Sequence, residues 1–376
     1  MKIAFVSTIL GYPWGGADAL WTAAAEAAAE RGDRLHLEIS NLVAPDPRVR
    51  ALIGRGAAIG IRRAPESTLS VWARGRSKAG RWLGQTDPLL RRLRAFAPDL
   101  AVFSCGGTYD TVLETPVCEW LRASGTRYRI IANLQHEHPR LPEADRRRAR
   151  EILIAADRLF FVSPRNLAIT RRHLLHPLPN AECIHGCRVH NPLAPERPPA
   201  WADPPPWTFA TVARLESIKG IDLVIAALAA GLGAEADWRL NVHGRGPDLG
   251  YLEECAVHFG LEGRVRFRGF APSIDAIWSE SHLLISAALD EGVPMTLPEA
   301  MFRSRAVLAT RVGAADEWID HGRTGFLCPA PNLELLTASL REAWAGRERW
   351  REMGMAAAER ARALHRPNDY LRILSP

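Results

Sequence analysis

The sequence predicts two α/β domains, each a doubly wound parallel sheet, and three observations carry that prediction. Short apolar runs alternate with helical segments, a proline-rich stretch interrupts the alternation, and the alternation then restarts. The length of 376 residues suits two domains of roughly 100–200 residues each.

In the first half, strands are expected at residues 3–7, 35–39, 57–61, 100–104, 129–132 and 159–163, with helices such as 17–31 and 87–96 between them. Strands this uniformly apolar belong to sheets covered on both faces. Between Asn191 and Trp207 stand Pro192, Pro195, Pro198, Pro199, Pro204, Pro205 and Pro206, which suit neither helix nor central strand. The first domain is therefore expected over residues 1–191 and the linker over 192–207. In the second domain, 208–355, strands are expected at 208–213, 239–243, 265–268, 283–286 and 307–310, and helices at 220–230, 247–259, 273–279 and 298–302. The segment 333–374 reads as mostly helical, with 356–376 expected to pack back on the first domain. Ligands of such sheets bind beyond the C-terminal ends of the strands, which makes the cleft between the two domains the expected site.

Composition narrows the class. Hydrophobic residues at 47% and charged residues at 24% exclude a disordered or collagen-like chain. The net charge of +6 favours an anionic partner without choosing among nucleotide, lipid surface and nucleic acid. The longest span-like uncharged run, from Leu223 to Ala234, has 12 residues, short of the roughly 20 that a membrane helix needs. The opening run 3–10 reads as a first strand rather than a signal peptide, because it leads through Gly11, Gly15 and Gly16 into a helix without a small-residue cleavage site; a cytoplasmic location is expected. Six dispersed cysteines do not form a disulfide framework. Cys183, His185, Cys187 and His190 fall within eight residues, yet structural zinc takes ligands from two separated pairs, and no metal is expected.

Only three of the 48 basic residues are lysines, Lys2, Lys78 and Lys219. Lys219 stands out because it shares with Arg214 a short loop between a strand and a helix, where two cations beside unpaired helix N–H groups suit a diphosphate. A second strand-to-helix loop contains Gly244, Gly246 and Pro247, whose glycines would let backbone approach a ligand. Gly15 and Gly16 give the same signal in the first domain. Neither loop matches the Gly-x-Gly-x-x-Gly fingerprint and no P-loop sequence occurs, which argues against dinucleotide and P-loop sites. The most specific segment runs from Asp290 to Met301. It sets Glu291 and Glu299 with seven residues between them, and with backbone N–H groups at Gly292, Val293, Met295 and Thr296 around Pro294. Thr296 and Glu299 also fit a capping box with proline in the first turn.

These segments, in this order, resemble retaining glycosyltransferases of the family 4 kind, with the two-Rossmann GT-B architecture. The likeness rests on Arg214 with Lys219 and Gly220, Gly244-x-Gly246-Pro247, Val265-x-Phe267-x-Gly269, the Glu291/Glu299 pair, and the run from Ala309 through Gly313 and Glu317 to Gly325. The first domain is similar more loosely, through Gly15-Gly16, Gln135-His136-Glu137 and Asn191-Pro192. The resemblance implies transfer of a sugar from a nucleotide-diphosphate-sugar to a glycan, lipid-linked or small-molecule acceptor, with the acceptor on the first-domain side and no cofactor or divalent metal. It implies that Arg214 and Lys219 hold the donor diphosphate, Glu291 the sugar hydroxyls and Glu299 the ribose. Residues 292–296 and Gly244 and Gly246 would line the donor, Gly15 and Gly16 would approach the diphosphate, and His136 would lie near the acceptor. The chain departs from the pattern at Arg303-Ser304-Arg305, where a small residue and glycine are common, and at Gly313-Ala314-Ala315, in place of a double glycine.

Between Arg62 and Arg94 stand Arg63, Arg74, Arg76, Lys78, Arg81, Arg91 and Arg92, with Trp72 and Trp82 among them. Basic residues interleaved with tryptophan suit an anionic membrane surface; a solvated basic face is the competing reading. A catalytically silent nucleotide-binding or partner subunit of the same fold is the alternative to an enzyme. No nucleic-acid module is recognised, so nucleic acid is not expected as a partner.

Overall fold

The computed structural model describes residues 1–11, 14–63, 87–112, 114–138, 140–185, 199–232, 236–271 and 273–375. The chain folds as two compact units, Met1–Arg188 with Arg366–Pro376, and Val189–His365. Of the expected linker, Pro192, Pro195 and Pro198 lie outside the described residues.

The first unit holds seven strands: β1 (Lys2–Ser7), β2 (Arg34–Ser40), β3 (Ala58–Arg62), β4 (Leu100–Gly107), β5 (Arg127–Leu134), β6 (Arg158–Phe161) and β7 (Ala181–Cys183). All pairings are parallel, in the order β3-β2-β1-β4-β5-β6-β7. The order reverses between β1 and β4, the position where such sheets open a crevice. Its helices are α1 (Gly16–Glu30), α2 (Pro47–Gly54), α3 (Pro88–Phe96), α4 (Thr115–Ala123), α5 (Glu143–Ala155) and α6 (Pro164–Leu174). Three of them start on proline behind an acceptor side chain: Asp46 caps Arg48 N–H, Asp87 caps Leu89 N–H and Ser163 caps Asn166 N–H. Proline loses nothing at a first helical position, where its missing N–H would be unpaired anyway. The core between helices and sheet is built from Ala101, Phe103, Ile130, Phe161 and Leu121.

Two arginines of the basic stretch 62–94 are spent inside this unit. Arg92 binds the buried Glu38 through Nε and Nη2 at 2.6 and 2.7 Å, and Glu38 also meets His36 at 2.7 Å. Arg62 donates to Ser7 O at 2.7 Å and pairs with Glu114. They are therefore not available to a membrane, which corrects the expectation for these two residues. Arg63, Arg91 and Arg94 are exposed; Trp72, Arg74, Arg76, Lys78, Arg81 and Trp82 lie outside the described residues.

The second unit holds β8 (Trp207–Val212), β9 (Trp238–His243), β10 (Val265–Gly269), β11 (Leu283–Ser286), β12 (Ala306–Thr310) and β13 (Gly325–Cys328). They too are all parallel, in the order β10-β9-β8-β11-β12-β13. Its helices are α7 (Ile221–Leu232), α8 (Leu249–His258), α9 (Ile274–Ser279), α10 (Thr296–Phe302), α11 (Ala315–Trp318), α12 (Leu333–Ala345) and α13 (Trp350–Leu364). Phe209, Trp238, Leu240, Leu228, Leu340 and Trp350 share one core. Trp350 satisfies its indole by donating to Ala343 O at 3.0 Å, as a buried tryptophan requires. Helix α13 packs in this unit against α10 and β12, whereas residues 366–376 join the first unit. The division thus falls at His365–Arg366 rather than at residue 355. Among the described residues no helix is long and apolar enough to cross a membrane.

The unusual Arg303-Ser304-Arg305 segment has a local explanation. Arg305 is buried and donates to Ser281 O at 2.7 Å, Arg303 O at 2.9 Å and Ala200 O at 2.7 Å, with its guanidinium 5.1 Å from the Trp201 ring. It fastens the chain entering β8 to the start of β12. Arg303 pairs with Asp275 of α9 at 2.5 Å. Ser304 carries the cost, because its φ of 57° lies in the left-handed region, where a side chain costs roughly 1–2 kcal/mol. Glycine removes that strain but is more flexible when unfolded, by roughly 0.5–1 kcal/mol. Ser304→Gly is expected to stabilise the protein by up to about 1 kcal/mol; a lowered urea midpoint would contradict the strain argument.

Candidate active site

The C-terminal ends of β8, β9, β11 and β12 present four loops joined by backbone hydrogen bonds. Ala213 N–H donates to His243 O at 3.0 Å, Leu215 N–H to Arg245 O at 3.0 Å and Asp248 N–H to Leu215 O at 3.1 Å. Leu289 N–H donates to Ile218 O at 2.8 Å, and Ala314 N–H to Gly292 O at 3.0 Å. The result is a rigid platform beside the β8/β11 switch point.

Two glycine positions make this lacing possible. A Cβ on Gly244 would fall 1.8 Å from Ala213 O, and one on Gly246 2.2 Å from Leu215 O. The Gly244 N–H is already taken by Gly269 O at 2.8 Å. These glycines therefore serve loop against loop first, a role the sequence reading assigned to ligand approach. Gly220, at φ +59°, lies so close to β11 that a Cβ would meet Ala287 O at 2.2 Å. That approach brings the neighbouring Lys219 to the loop after β11.

There Lys219 Nζ meets Glu291 Oε1 at 2.5 Å, with 16% and 18% of the two side chains exposed. The structure thus joins two residues 72 positions apart that the sequence singled out separately. Arg214 is more exposed and bonds Glu216 at 2.7 Å. Around the entrance to α10, Leu297 N–H donates to Pro294 O at 3.0 Å and Glu299 N–H to Met295 O at 3.3 Å. Pro294 has no N–H, so the amides of the segment are those of Gly292, Val293, Met295 and Thr296.

The capping reading of Thr296 and Glu299 does not hold. The helix starts at Thr296 itself and Met295 is its N-cap, without a side-chain cap. Met295 is already in the right-handed helical region, whereas a capping side chain needs an extended backbone at its own position. Among the described residues the Glu299 carboxylate has no hydrogen-bond partner, and burial pushes its pKa up to about 7. Glu317 on α11 is a second such group. Its Oε1 is buried without a partner, and burial together with the Asp316 charge pushes it up to about 7.

The pH consequence follows from linkage. A carboxyl raised from 4.5 to about 7 keeps its proton longer when folded, so the folded state binds more protons than the unfolded state between those values. Stability from such a group is fully present below about 4.5, falls as pH rises through about 7, and is flat above. Glu317→Gln is expected to raise the urea midpoint at pH 8 and leave it nearly unchanged at pH 4; equal changes at both would contradict this assignment.

In the first unit, α1 begins at Gly16 behind Gly15. Asp18 reaches back to accept Gly15 N–H at 2.9 Å and the Trp21 indole at 3.1 Å; its burial pushes it up to about 6. His136 is exposed just after β5, and its carbonyl accepts Gln135 Nε2 at 2.9 Å. Glu137 pairs with Arg172 and lies 3.6 Å from Arg165. Sequence reasoning missed the crevice between β1 and β4. There Thr8 Oγ1 donates to Asp110 Oδ2 at 2.7 Å, and that oxygen also accepts Gly107 N–H at 3.0 Å. The signal available was Gly106-Gly107 just past the apolar run 100–104, which the sequence reading left unassigned. Of the cysteine–histidine cluster, Cys187 and His190 lie outside the described residues. Among the described residues no group of three or more histidine, cysteine or acidic side chains is placed to hold a metal ion.

This pairing of two parallel sheets is the GT-B fold, as solved structures of low identity attest. The Anabaena protein Alr3699/HepE, in a crystal structure with UDP, aligns over 100% of this chain and 98% of its own at TM-score 0.72 and 16% identity. Sucrose-phosphate synthase from Thermosynechococcus elongatus aligns over 100% and 97% at TM-score 0.72 and 17% identity. Residues 206–345, within the second unit, match the family described as Glycosyl transferases group 1. The lipopolysaccharide core biosynthesis mannosyltransferase LpcC of Rhizobium leguminosarum bv. viciae is 30% identical over 132 residues, 34% of this chain and 38% of that protein. N-acetyl-alpha-D-glucosaminyl L-malate synthase of Bacillus anthracis is 29% identical over 117 residues, 31% of this chain and 30% of that protein. The matches thus span about a third of these relatives.

Proposed function

We propose that the chain is a retaining glycosyltransferase of the family 4 kind, moving a hexosyl group from a nucleotide-diphosphate-sugar to a glycan, lipid-linked or small-molecule acceptor in cell-surface polysaccharide or glycoconjugate synthesis. The observation that carries the reading is the Lys219–Glu291 pair at 2.5 Å, held on glycine-locked loops within the segment that matches the group 1 family. HepE with UDP-glucose and the mannosyltransferase LpcC support a nucleotide-sugar donor.

The difficult step is breaking the bond between the sugar's anomeric carbon and the phosphate oxygen while negative charge builds on that oxygen. Fixed cations there stabilise the transition state without reorganising. Lys219 and Arg214 supply them, and the sequence has no Asp-x-Asp to hold a divalent metal. Glu291 accepts hydrogen bonds from the sugar hydroxyls and Glu299 from the ribose; the amides of Gly292, Val293, Met295 and Thr296 hold the sugar and phosphates. Gly15, Gly16 and His136 act from the first unit, near the diphosphate and the acceptor. The acceptor attacks the sugar on the face the phosphate leaves, which retains configuration.

Calorimetric titration of UDP, GDP and ADP into the wild type and Lys219→Ala, with EDTA present, tests the reading. Selective binding of one nucleotide, weakened in the variant, is expected. A folded protein that binds none of the three would favour a silent subunit instead.

A further inference from the structure

The second unit's sheet has one face that its helices leave partly open. Trp238, Leu240, Val242 and Val265 point into the shared core. By alternation, the opposite face carries Thr208 of β8, Arg239, Asn241 and His243 of β9, and Arg266 and Arg268 of β10. The register sets Arg239 beside Thr208 and Arg266 beside Asn241. Helix α9, which follows β10, is only six residues long, and a groove of about 290 Å³ lies between it and these strands.

The groove is built unlike an ordinary solvated face. Arg239 and Arg266 have no carboxylate partner among the described residues, and Arg268 has Glu280 at 3.3 Å. None of the three guanidiniums stands directly opposite another in the register, so their mutual repulsion is modest, but they gather positive charge along one groove. Asp203 at the rim and Glu280 offset them only in part. Asn241 lines the groove, is 6% exposed, and has no side-chain hydrogen bond among the described residues. Behind it on the same strand, His243 is 7% exposed with both ring nitrogens buried and unpartnered. The Asn241 side chain beside Arg239 and Arg266 forms a donor set that lacks its acceptor.

We propose that this groove binds the phosphate of a small soluble phosphomonoester, at a site separate from the Lys219–Glu291 centre. Guanidinium forks match phosphate oxygens in bidentate geometry, and the Asn241 amide adds a third donor. The volume lies at the lower end of ligand pockets, roughly 300–1,000 Å³, which suits a phosphate on a body of few atoms rather than a nucleoside diphosphate. The site opens at the start of β8 and β9, the opposite end of those strands from the loops that carry Lys219.

Thermal unfolding with glycerol 3-phosphate or inorganic phosphate against chloride at matched ionic strength tests this on three proteins: wild type, Lys219→Ala and Arg239→Gln/Arg266→Gln. Both arginines are exposed, so the double variant should fold, and its unfolding in chloride checks that. The expected result is a phosphate-dependent rise in Tm for the wild type and Lys219→Ala, with at least tenfold weaker apparent affinity in the arginine variant. ³¹P line broadening of glycerol 3-phosphate should follow the same order. Equal binding by the double variant, or loss of binding in Lys219→Ala alone, would overturn the proposal. So would arginine-dependent flotation with phosphatidylglycerol vesicles in the absence of any glycerol 3-phosphate binding.

Discussion

Lys219→Ala is expected to fold as the wild type does and to lose about 10²–10³-fold in turnover, the usual effect of removing one preorganised electrostatic group. The stability side is small for a stated reason. The pair with Glu291 is partly exposed on both sides, and ion pairs near solvent contribute roughly 0–1 kcal/mol. The activity side is large because the same ammonium is proposed to face a diphosphate whose charge grows as the bond breaks. Near-normal turnover, measured as sugar-nucleotide consumption with the acceptor present, would remove Lys219 from the reaction.

The 2.5 Å contact makes a sharper statement possible. In the free protein the lysine charge is shared with Glu291, so an arriving diphosphate competes with the carboxylate for it. Glu291→Gln frees the ammonium while weakening the proposed acceptor for sugar hydroxyls. Binding of the bare nucleotide diphosphate should then tighten while turnover falls. Because the two side chains act as a unit, the double variant should lose less than the product of the two single losses. Losses that multiply would mean that the pair works as two independent residues.

What the sequence conveyed and what it hid divide along local and long-range physics. Strands such as β1 and β4 were legible because burial on both faces demands an unbroken apolar run. β7, with the sequence Ala-Glu-Cys, and β13, with Gly-Phe-Leu-Cys, were not. Each is too short to show a period, and each exists because a neighbouring strand offers it an edge. Lys219 and Glu291 were legible singly, one through the scarcity of lysine and the other through its loop. Their contact was hidden because it depends on Gly220 fitting against Ala287. The capping box failed for a related reason: its letters match, but Met295 already turns helically and moves the cap one residue earlier. Arg303 and Arg305 read as departures in the site, whereas their bonds fasten the chain before β8 and helix α9.

Deleting residues 366–376 is expected to destabilise the first unit by about 3 kcal/mol or more, the scale of stripping partners from a buried charge. Arg129 in β5 has 1% of its side chain exposed. Its Nε is held by Asp157 at 2.7 Å, and its Nη1 donates to Ile373 O and Ser375 O at 2.7 and 2.6 Å. The deletion leaves that nitrogen without either acceptor. It also removes buried Ile373 and Leu374, the Arg158 bond to Ser375 Oγ at 2.8 Å and the Asp369 carboxylate that accepts His185 N–H at 2.6 Å. The arginine's part can be isolated by making the same deletion in Arg129→Met, which has no charge to strand. There the loss should shrink by at least about 1 kcal/mol, since groups in direct contact couple by roughly 0.5–3 kcal/mol. Equal losses in both backgrounds, read from urea unfolding, would mean that apolar packing alone holds the tail and that Arg129 finds other acceptors when it is gone.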